Sequence, residues 1–142
     1  MRFELVSRSW RQHCQDVQFS IPFRKERVET MAEFTHHIFV CCNRREEGHS
    51  RGCCDPEGSG QLRAAFKDEI QRRGLKPLVR ANQAGCLDQC ERGPTVVIYP
   101  QAIWYGGVTA EDVPRIVEQT VVGGKVIEEL KIPGEKLNTK GK

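Results

Sequence analysis

Residues 85–99 read GCLDQCERGPTVVIY, a loop bearing two cysteines that runs directly into an apolar strand. Residues 95–99 are almost entirely apolar and β-branched, which is typical of a strand that is buried on both faces. The glycines and the proline before that strand predict a turn-rich segment at residues 85–94, which we name the second cysteine loop. This stretch therefore predicts a buried sheet with a cysteine-bearing loop at one end.

The elements around this stretch follow a regular order. Residues 36–40 (HHIFV) predict a first strand, and residues 43–59, with three glycines and no periodicity, predict the first cysteine loop. A helix that begins at Ser59 or Gly60 and ends at Gly74 leads to a second strand at residues 75–81. After residues 95–99, a further strand is predicted at 103–108.

A second helix is predicted to begin at Thr109 and to end at Gly123 and Gly124, with an extended edge segment at residues 126–132. Its apolar stripe consists of Ile116, Val117, Thr120 and Val121. The resulting order, β-α-β-β-β-α, predicts an α/β protein with a thioredoxin-like fold, built from a central mixed sheet and two main helices.

The 142 residues divide into three segments. Residues 1–30 show no clean periodicity and are predicted to be a poorly ordered N-terminal extension. Residues 31–132 form the predicted thioredoxin-like domain, and residues 133–142 a polar C-terminal tail. One domain of this size can bury a core of its own.

Composition argues against several classes of function. The 22 basic residues are interspersed with 19 acidic ones for a net charge of +3, so we expect no nucleic-acid partner. No apolar run approaches the ~20 residues of a membrane helix, so we expect no membrane contact. Residues 1–30 lack the apolar core of a signal peptide, which predicts a cytoplasmic protein.

Cysteine is the informative residue type. The seven cysteines are Cys14, Cys41, Cys42, Cys53, Cys54, Cys86 and Cys90, and six of them lie between positions 41 and 90. An odd number in a reducing compartment is poor support for a disulfide framework. The clustering therefore indicates metal or redox chemistry.

Four sulfurs are expected to meet where the two cysteine loops emerge from the same end of the sheet. Cys86 and Cys90 form a C-x3-C pair, while each of the other two positions is a doublet that spacing alone leaves open. Four thiolates suit either a zinc ion or a 2Fe–2S cluster. One tight pair and one long glycine-rich loop favour the cluster, and a zinc-stabilised binding module with four cysteine ligands is the alternative. Since no C-x-x-C pair or nucleophile–base pair is present, we expect no enzyme.

Several motifs together resemble the thioredoxin-like 2Fe–2S ferredoxins. They are FVC at 39–41, GH at 48–49, GCC at 52–54, GCLDQCERGPTVVIYP at 85–100 and WYG at 104–106. The resemblance covers residues 36–132 and includes the long first loop of the free-standing ferredoxins. It implies one 2Fe–2S cluster on Cys41, Cys54, Cys86 and Cys90, one-electron transfer to redox partner proteins and, often, a homodimer.

The remaining side chains near the loops have plainer interpretations. Cys42 and Cys53 depart from the family pattern and are interpreted as spare thiols, and Cys14 as a bystander. His49 is assigned to loop hydrogen bonding, because a Rieske centre would need two histidines. The loop arginines, Arg44, Arg45, Arg51 and Arg92, form either a positive rim around the site or a solvated surface.

Overall fold

Strand β1 (His36–Cys41) is an inner strand of a four-stranded sheet in the computed structural model, which describes residues 34–138. Strand β2 (Val79–Ala84) runs parallel to β1 on one side, and β3 (Val96–Tyr99) runs antiparallel to it on the other. Strand β4 (Ile103–Tyr105) completes the order β2-β1-β3-β4. The predicted α/β architecture with a mixed sheet is confirmed.

The strand register explains why the two cysteine loops meet. Cys41 pairs with Ala84 at the shared carboxyl end of β1 and β2, and Val40 pairs with Val96 at the start of β3. Because parallel strands end at the same edge, both loops leave the sheet there. The backbone N–H of Cys41 also donates to the carbonyl of Thr95 at 2.9 Å, which joins the end of β1 to the end of the second loop.

Helix α1 (Gln61–Arg72) begins at Gly60, whose φ of 64° is a left-handed conformation that glycine adopts without strain. The N–H of Gly60 donates to Oδ2 of Asp55 at 2.9 Å, so a side chain from the first cysteine loop caps the approach to the helix. Phe66 and Ile70 on α1 are buried against the sheet.

The last helical segment is irregular along its length. A 3-10 turn (Ala110–Asp112) precedes helix α2 (Val113–Ile116), which continues as a π-helix (Val117–Val122). Thr109 and Asp112 form a reciprocal capping box at its start, as expected for a helix that begins at Thr109. All four residues of the predicted apolar stripe are buried: Ile116, Val117, Thr120 and Val121.

Both helices pack on one face of the sheet and form one core. Its members are apolar side chains from the four strands, from both helical segments and from two connecting segments: Ile38, Val40, Phe66, Ile70, Val79, Val96, Ile98, Tyr105, Val108, Val113, Ile116, Val117, Val121 and Ile127. Tyr105 is the only one of them with a hydroxyl, which takes the backbone N–H of Ile127 at 3.0 Å and pairs with Thr120 Oγ1 at 2.7 Å. The core ends at the cysteine edge of the sheet, which gives the loops a rigid base.

Several predicted boundaries were wrong. Strand β2 runs from Val79 to Ala84 rather than over residues 75–81, because residues 75–78 close a turn through the N–H of Leu78 and the carbonyl of Leu75. Strand β4 ends at Tyr105 rather than at residue 108, since Gly107 has a left-handed φ of 62°. The predicted extended edge segment at residues 126–132 is confirmed only at Lys131, which forms an isolated antiparallel bridge with Tyr105 of β4, whereas residues 128–130 form a turn.

Some predictions lie outside the described residues. These concern the N-terminal extension at residues 1–30, including Cys14, and residues 139–142 of the polar tail. Among residues 34–138, no helix is both long enough and apolar enough to cross a membrane.

Candidate metal centre

The four cysteines predicted from the sequence lie at the carboxyl edge of β1 and β2. Cys41 is the last residue of β1, and Cys54 lies in the first cysteine loop. Cys90 begins a 3-10 turn (Cys90–Arg92) in the second cysteine loop. These three are buried, whereas Cys86, at the start of the second loop, is exposed.

The four sulfurs are arranged as two pairs. The Sγ atoms of Cys86 and Cys90 lie 3.5 Å apart. The thiols of Cys41 and Cys54 are near enough for each to shift the pKa of the other. No group of three or more His, Cys, Asp or Glu side chains within residues 34–138 is gathered closely enough to hold a metal ion. Each pair joins residues from one side of the site: the first loop and its preceding strand, or the second loop.

The thiols of Cys41 and Cys54 shift each other's pKa in opposite directions. The hydrogen bond with Cys54 lowers the pKa of Cys41 to about 6, and backbone N–H groups of Leu87 and Asn43 act in the same direction. The same hydrogen bond, together with burial, raises the pKa of Cys54. Cys41 is therefore predisposed to be the thiolate of this pair, which is the form that binds metal.

The pair of Cys86 and Cys90 is polarised in the same way. A backbone N–H from Asp88, 3.4 Å from Sγ of Cys86, is the main cause that lowers the pKa of that thiol. Burial raises the pKa of Cys90, and the Arg45 guanidinium opposes that effect. Asp88 has a φ of 60°, a left-handed turn position that aspartate tolerates better than most residues.

Gly93 leaves space that any side chain would fill. A Cβ at this position would lie 2.5 Å from Sγ of Cys54 and 3.2 Å from the carbonyl oxygen of Cys90. At Gly52, which has a φ of 73°, a Cβ would lie 3.3 Å from the same carbonyl. Glycine at position 93 allows the second loop to approach Sγ of Cys54, and glycine at position 52 allows the first loop to approach the backbone of Cys90.

Arg51 ties the first cysteine loop to the second. Its Nη2 lies 3.0 Å from Oδ1 of Asp88, and its Nε lies 2.6 Å from Oε1 of Glu91. This arginine lowers the pKa of Glu91 to about 2. The Glu91 carboxylate therefore stays ionised near neutral pH.

Asn138 binds the second loop from the C-terminal side. Its backbone N–H donates to Oε1 of Gln89 at 2.9 Å, and Nε2 of Gln89 donates to its carbonyl at 3.1 Å. The Asn138 side-chain amide also donates to the carbonyl of Asp88 at 2.9 Å and to Oε2 of Glu91 at 3.0 Å. We call this network of Arg51, Asp88, Gln89, Glu91 and Asn138 the loop clasp. Composition gave no signal for it, since residues 133–142 look like a polar tail.

The other cysteines of the doublets point elsewhere. Cys42 packs against the edge of the core, and its thiol lies 3.5 Å from the carbonyl of Val40. Cys53 accepts the backbone N–H of Arg45 at 3.1 Å and lies 3.5 Å from the carbonyl of Asn43. His49 makes the loop hydrogen bonds expected of it, because its Nδ1 accepts the N–H of Arg51 at 3.1 Å.

The donor set and its surroundings fit an iron–sulfur cluster. Two thiol pairs suit a centre in which each iron takes two thiolates. Backbone N–H groups and one guanidinium surround the sulfurs, and such donors stabilise negative charge on sulfur. Gly93 has no side chain beside Sγ of Cys54, which leaves room for a wide, rigid group.

Comparison with known proteins identifies relatives of this chain. No protein-family model matches the chain. A 2Fe–2S ferredoxin of Clostridium pasteurianum is 42% identical over 97 residues, which cover 68% of this chain and 95% of that protein. A 2Fe–2S ferredoxin of Aquifex aeolicus is 43% identical over 103 residues, covering 72% and 92%.

Comparison with solved structures identifies proteins of similar fold. The thioredoxin-like [2Fe–2S] ferredoxin from Aquifex aeolicus superposes with a TM-score of 0.65 at 42% identity, over 72% of this chain and 99% of that one. A second structure of a thioredoxin-like ferredoxin from that organism gives a TM-score of 0.66 over 72% and 93%. With this identity over nearly the full length of its relatives, the chain belongs to the thioredoxin-like 2Fe–2S ferredoxins.

Proposed function

We propose that Cys41, Cys54, Cys86 and Cys90 hold one 2Fe–2S cluster and that the protein carries single electrons between redox partner proteins in the cytoplasm. Ferredoxins are electron carriers rather than enzymes, and this chain is a member of that family. The observation that carries the four-cysteine proposal is that all four cysteines lie at one end of the sheet, where the Sγ atoms of Cys86 and Cys90 are 3.5 Å apart.

The residues of the chain divide the work of holding such a cluster. When bound, a 2Fe–2S cluster accepts and releases one electron. The backbone N–H of Asp88 donates to Sγ of Cys86 at 3.4 Å and stabilises negative charge on that sulfur. Backbone groups of Asn43 and Leu87 lower the pKa of Cys41, and Thr95 acts in the same direction on Cys54. The buried pair lies against the sheet, whereas Cys86 is exposed. The surface beside Cys86 is therefore the side at which a partner can approach the site most closely.

The choice within each doublet follows from side-chain direction. Consecutive residues at the end of a strand point to opposite faces. Cys41 faces Cys54, while Cys42 packs on the core edge. Cys53 is engaged with the backbone of its own loop. We therefore propose Cys41 and Cys54, rather than Cys42 and Cys53, as ligands, in agreement with the family pattern.

Purified full-length protein tests this proposal through metal analysis and spectroscopy. We expect two irons and two labile sulfides per chain, a brown-red colour that bleaches on reduction, and an EPR signal in the reduced state only. One zinc per chain with no visible absorption would overturn the proposal in favour of a zinc-stabilised binding module.

A further inference from the structure

Arg45 reaches across the site from one cysteine loop to the other. Its Nη2 lies 3.4 Å from Sγ of Cys90 and 3.5 Å from Sγ of Cys86. Its Nε is buried and has no hydrogen-bond partner among residues 34–138, and its Nη1 lies 3.4 Å from Nε2 of His49. An arginine side chain thus contacts both sulfurs of the more exposed pair.

The backbone of Arg45 is anchored independently of its side chain. The N–H of Arg45 donates to Sγ of Cys53 at 3.1 Å, and the Cys53 thiol lies 3.5 Å from the carbonyl of Asn43. The Cys53 thiol, which is not a proposed ligand, therefore helps to fix the position of the Arg45 backbone. This anchor reduces the conformational freedom that the guanidinium would lose on contacting the sulfurs.

We propose that Arg45 is a positioning residue that raises the reduction potential of the centre, an inference that rests on the proposed function. One electron added from a donor protein increases the negative charge of the centre by one. A guanidinium in contact with two ligand sulfurs stabilises that added charge more than it stabilises the oxidised state. Its partial burial preserves the effect, because water screens a buried charge less than an exposed one.

The matched control is Arg44, the preceding residue of the same loop. Arg44 carries the same charge but is exposed. Its side chain lies beside Gly58, since a Cβ built on that glycine would be 3.1 Å from Cδ of Arg44. Replacing Arg44 therefore removes one positive charge from the loop without removing a contact with sulfur. Any difference between the two positions reports contact rather than net charge.

Redox titration followed by EPR on the full-length holoprotein tests the inference, with iron content measured on each sample. We expect Arg45→Met to keep its iron and to lower the equilibrium constant for one-electron reduction about tenfold, a fall in potential of ~59 mV. Arg45→Lys should give a smaller fall, because an ammonium keeps the charge but lacks the planar fork that reaches two sulfurs. Arg44→Met should shift the potential far less than Arg45→Met does.

The outcomes separate this inference from the one beneath it. Full iron content with equal potentials in Arg45→Met, Arg44→Met and the wild-type protein would overturn the role of Arg45 alone. If Arg45→Met lost its iron, the uncharged variant Arg45→Gln would decide, since a wild-type potential in that variant would overturn the inference and a lowered one would support it. A wild-type protein without iron would overturn the proposed function, and this inference with it.

Discussion

The first and second cysteine loops meet at one end of the sheet, but they are held by different means. The first loop is long and is fixed at its ends by backbone and capping contacts, while Arg45 and Arg51 contact the second loop from its middle. Cys41 and Cys42 donate their N–H groups to Thr95 and Ala84, at 2.9 and 3.0 Å. The loop thereby continues directly from the most buried part of the sheet.

The second loop is short and is held largely by side chains that arrive from elsewhere in the chain. Arg51 comes from the first loop, and Asn138 comes from the C-terminal side, 49 residues after Gln89. Cys86 of this loop is exposed, while Cys41 and Cys54 are buried. The comparison indicates that the pair of Cys41 and Cys54 depends on the fold itself, whereas the pair of Cys86 and Cys90 depends on the loop clasp.

The largest effect is expected from the doublets of the first loop. Cys41→Ala and Cys54→Ala each remove a proposed ligand, so we expect both variants to lose nearly all of their iron after anaerobic purification. Cys42→Ala and Cys53→Ala should keep it and lose only about 1 kcal/mol of stability through local packing. Iron analysis with EPR measures the outcome. Retention of iron by Cys41→Ala together with its loss in Cys42→Ala would reverse the assignment at the end of β1.

A smaller but still large effect is expected where the backbone of the second loop touches the buried pair. Gly93→Ala would place a methyl group 2.5 Å from Sγ of Cys54, so the loop must shift, at a cost of about 1–3 kcal/mol. We expect reduced iron content and a lower melting temperature. Gly85→Ala is the control in the same loop, because its Cβ would meet no atom within 4 Å. Equal iron in the two variants would show that Gly93 does not limit the space at the sulfurs.

Loosening the loop clasp should change the lifetime of the centre more than its formation. In Asn138→Ala the paired hydrogen bonds between the backbone of residue 138 and the Gln89 side chain can persist, so only the side-chain contacts with Asp88 and Glu91 are lost. We expect this variant to release iron to a chelator several-fold faster, with normal initial iron content. Lys136→Ala, on the same C-terminal segment but exposed, serves as the control. Equal release rates in both variants and in the wild type would argue against the clasp.

The ionic part of the clasp has a defined pH dependence. Arg51 lowers the pKa of Glu91 to about 2, and a lowered carboxyl pKa contributes stability that is present above the ordinary value and is lost as the pH falls through the lowered one. We therefore expect Arg51→Gln to release iron faster than the wild type by a ratio that is constant between about pH 8 and about pH 5. A ratio that falls to one near the lower of these values would show that Glu91 protonates early.

The smallest effect on the centre is expected from the core beneath it. Tyr105→Phe removes the hydroxyl that takes the N–H of Ile127 and pairs with Thr120, so we expect a loss of about 1–3 kcal/mol in the free energy of unfolding. The reduction potential should not change. Tyr99→Phe, at a tyrosine that is 41% exposed, is the control and should leave stability nearly unaltered. A clear change in potential in Tyr105→Phe would mean that the core and the site are coupled.

Sequence patterns predict the strands and helices that depend on residues close together in the chain. The apolar run at residues 95–99 and the repeat of buried residues at 116, 117, 120 and 121 indicated the correct elements, and the order of elements indicated the fold. The start of β2 was misplaced because Leu75 and Leu78 are apolar, as strand residues often are, but close a turn. Apolar composition alone does not distinguish those two conformations.

The contacts that surround the sulfurs were not accessible to the same reasoning. Arg45 is 41 residues from Cys86 in the chain, and Asn138 is 49 residues from Gln89. No periodicity links such positions, so the loop arginines could be interpreted equally well as a rim around the site or as solvated surface. Folding of both loops onto one sheet edge is what distinguishes Arg45 and Arg51 from exposed Arg44.

Native mass spectrometry of the intact, anaerobically purified protein tests the central claim most directly, because it weighs the bound group and the chain together. We expect each chain to be heavier than the apoprotein by two irons and two sulfides. We also expect this increment to persist in a variant that lacks both Cys42 and Cys53. A chain that carries a single zinc ion, or an increment that disappears with those two cysteines, would contradict a 2Fe–2S cluster held by Cys41, Cys54, Cys86 and Cys90.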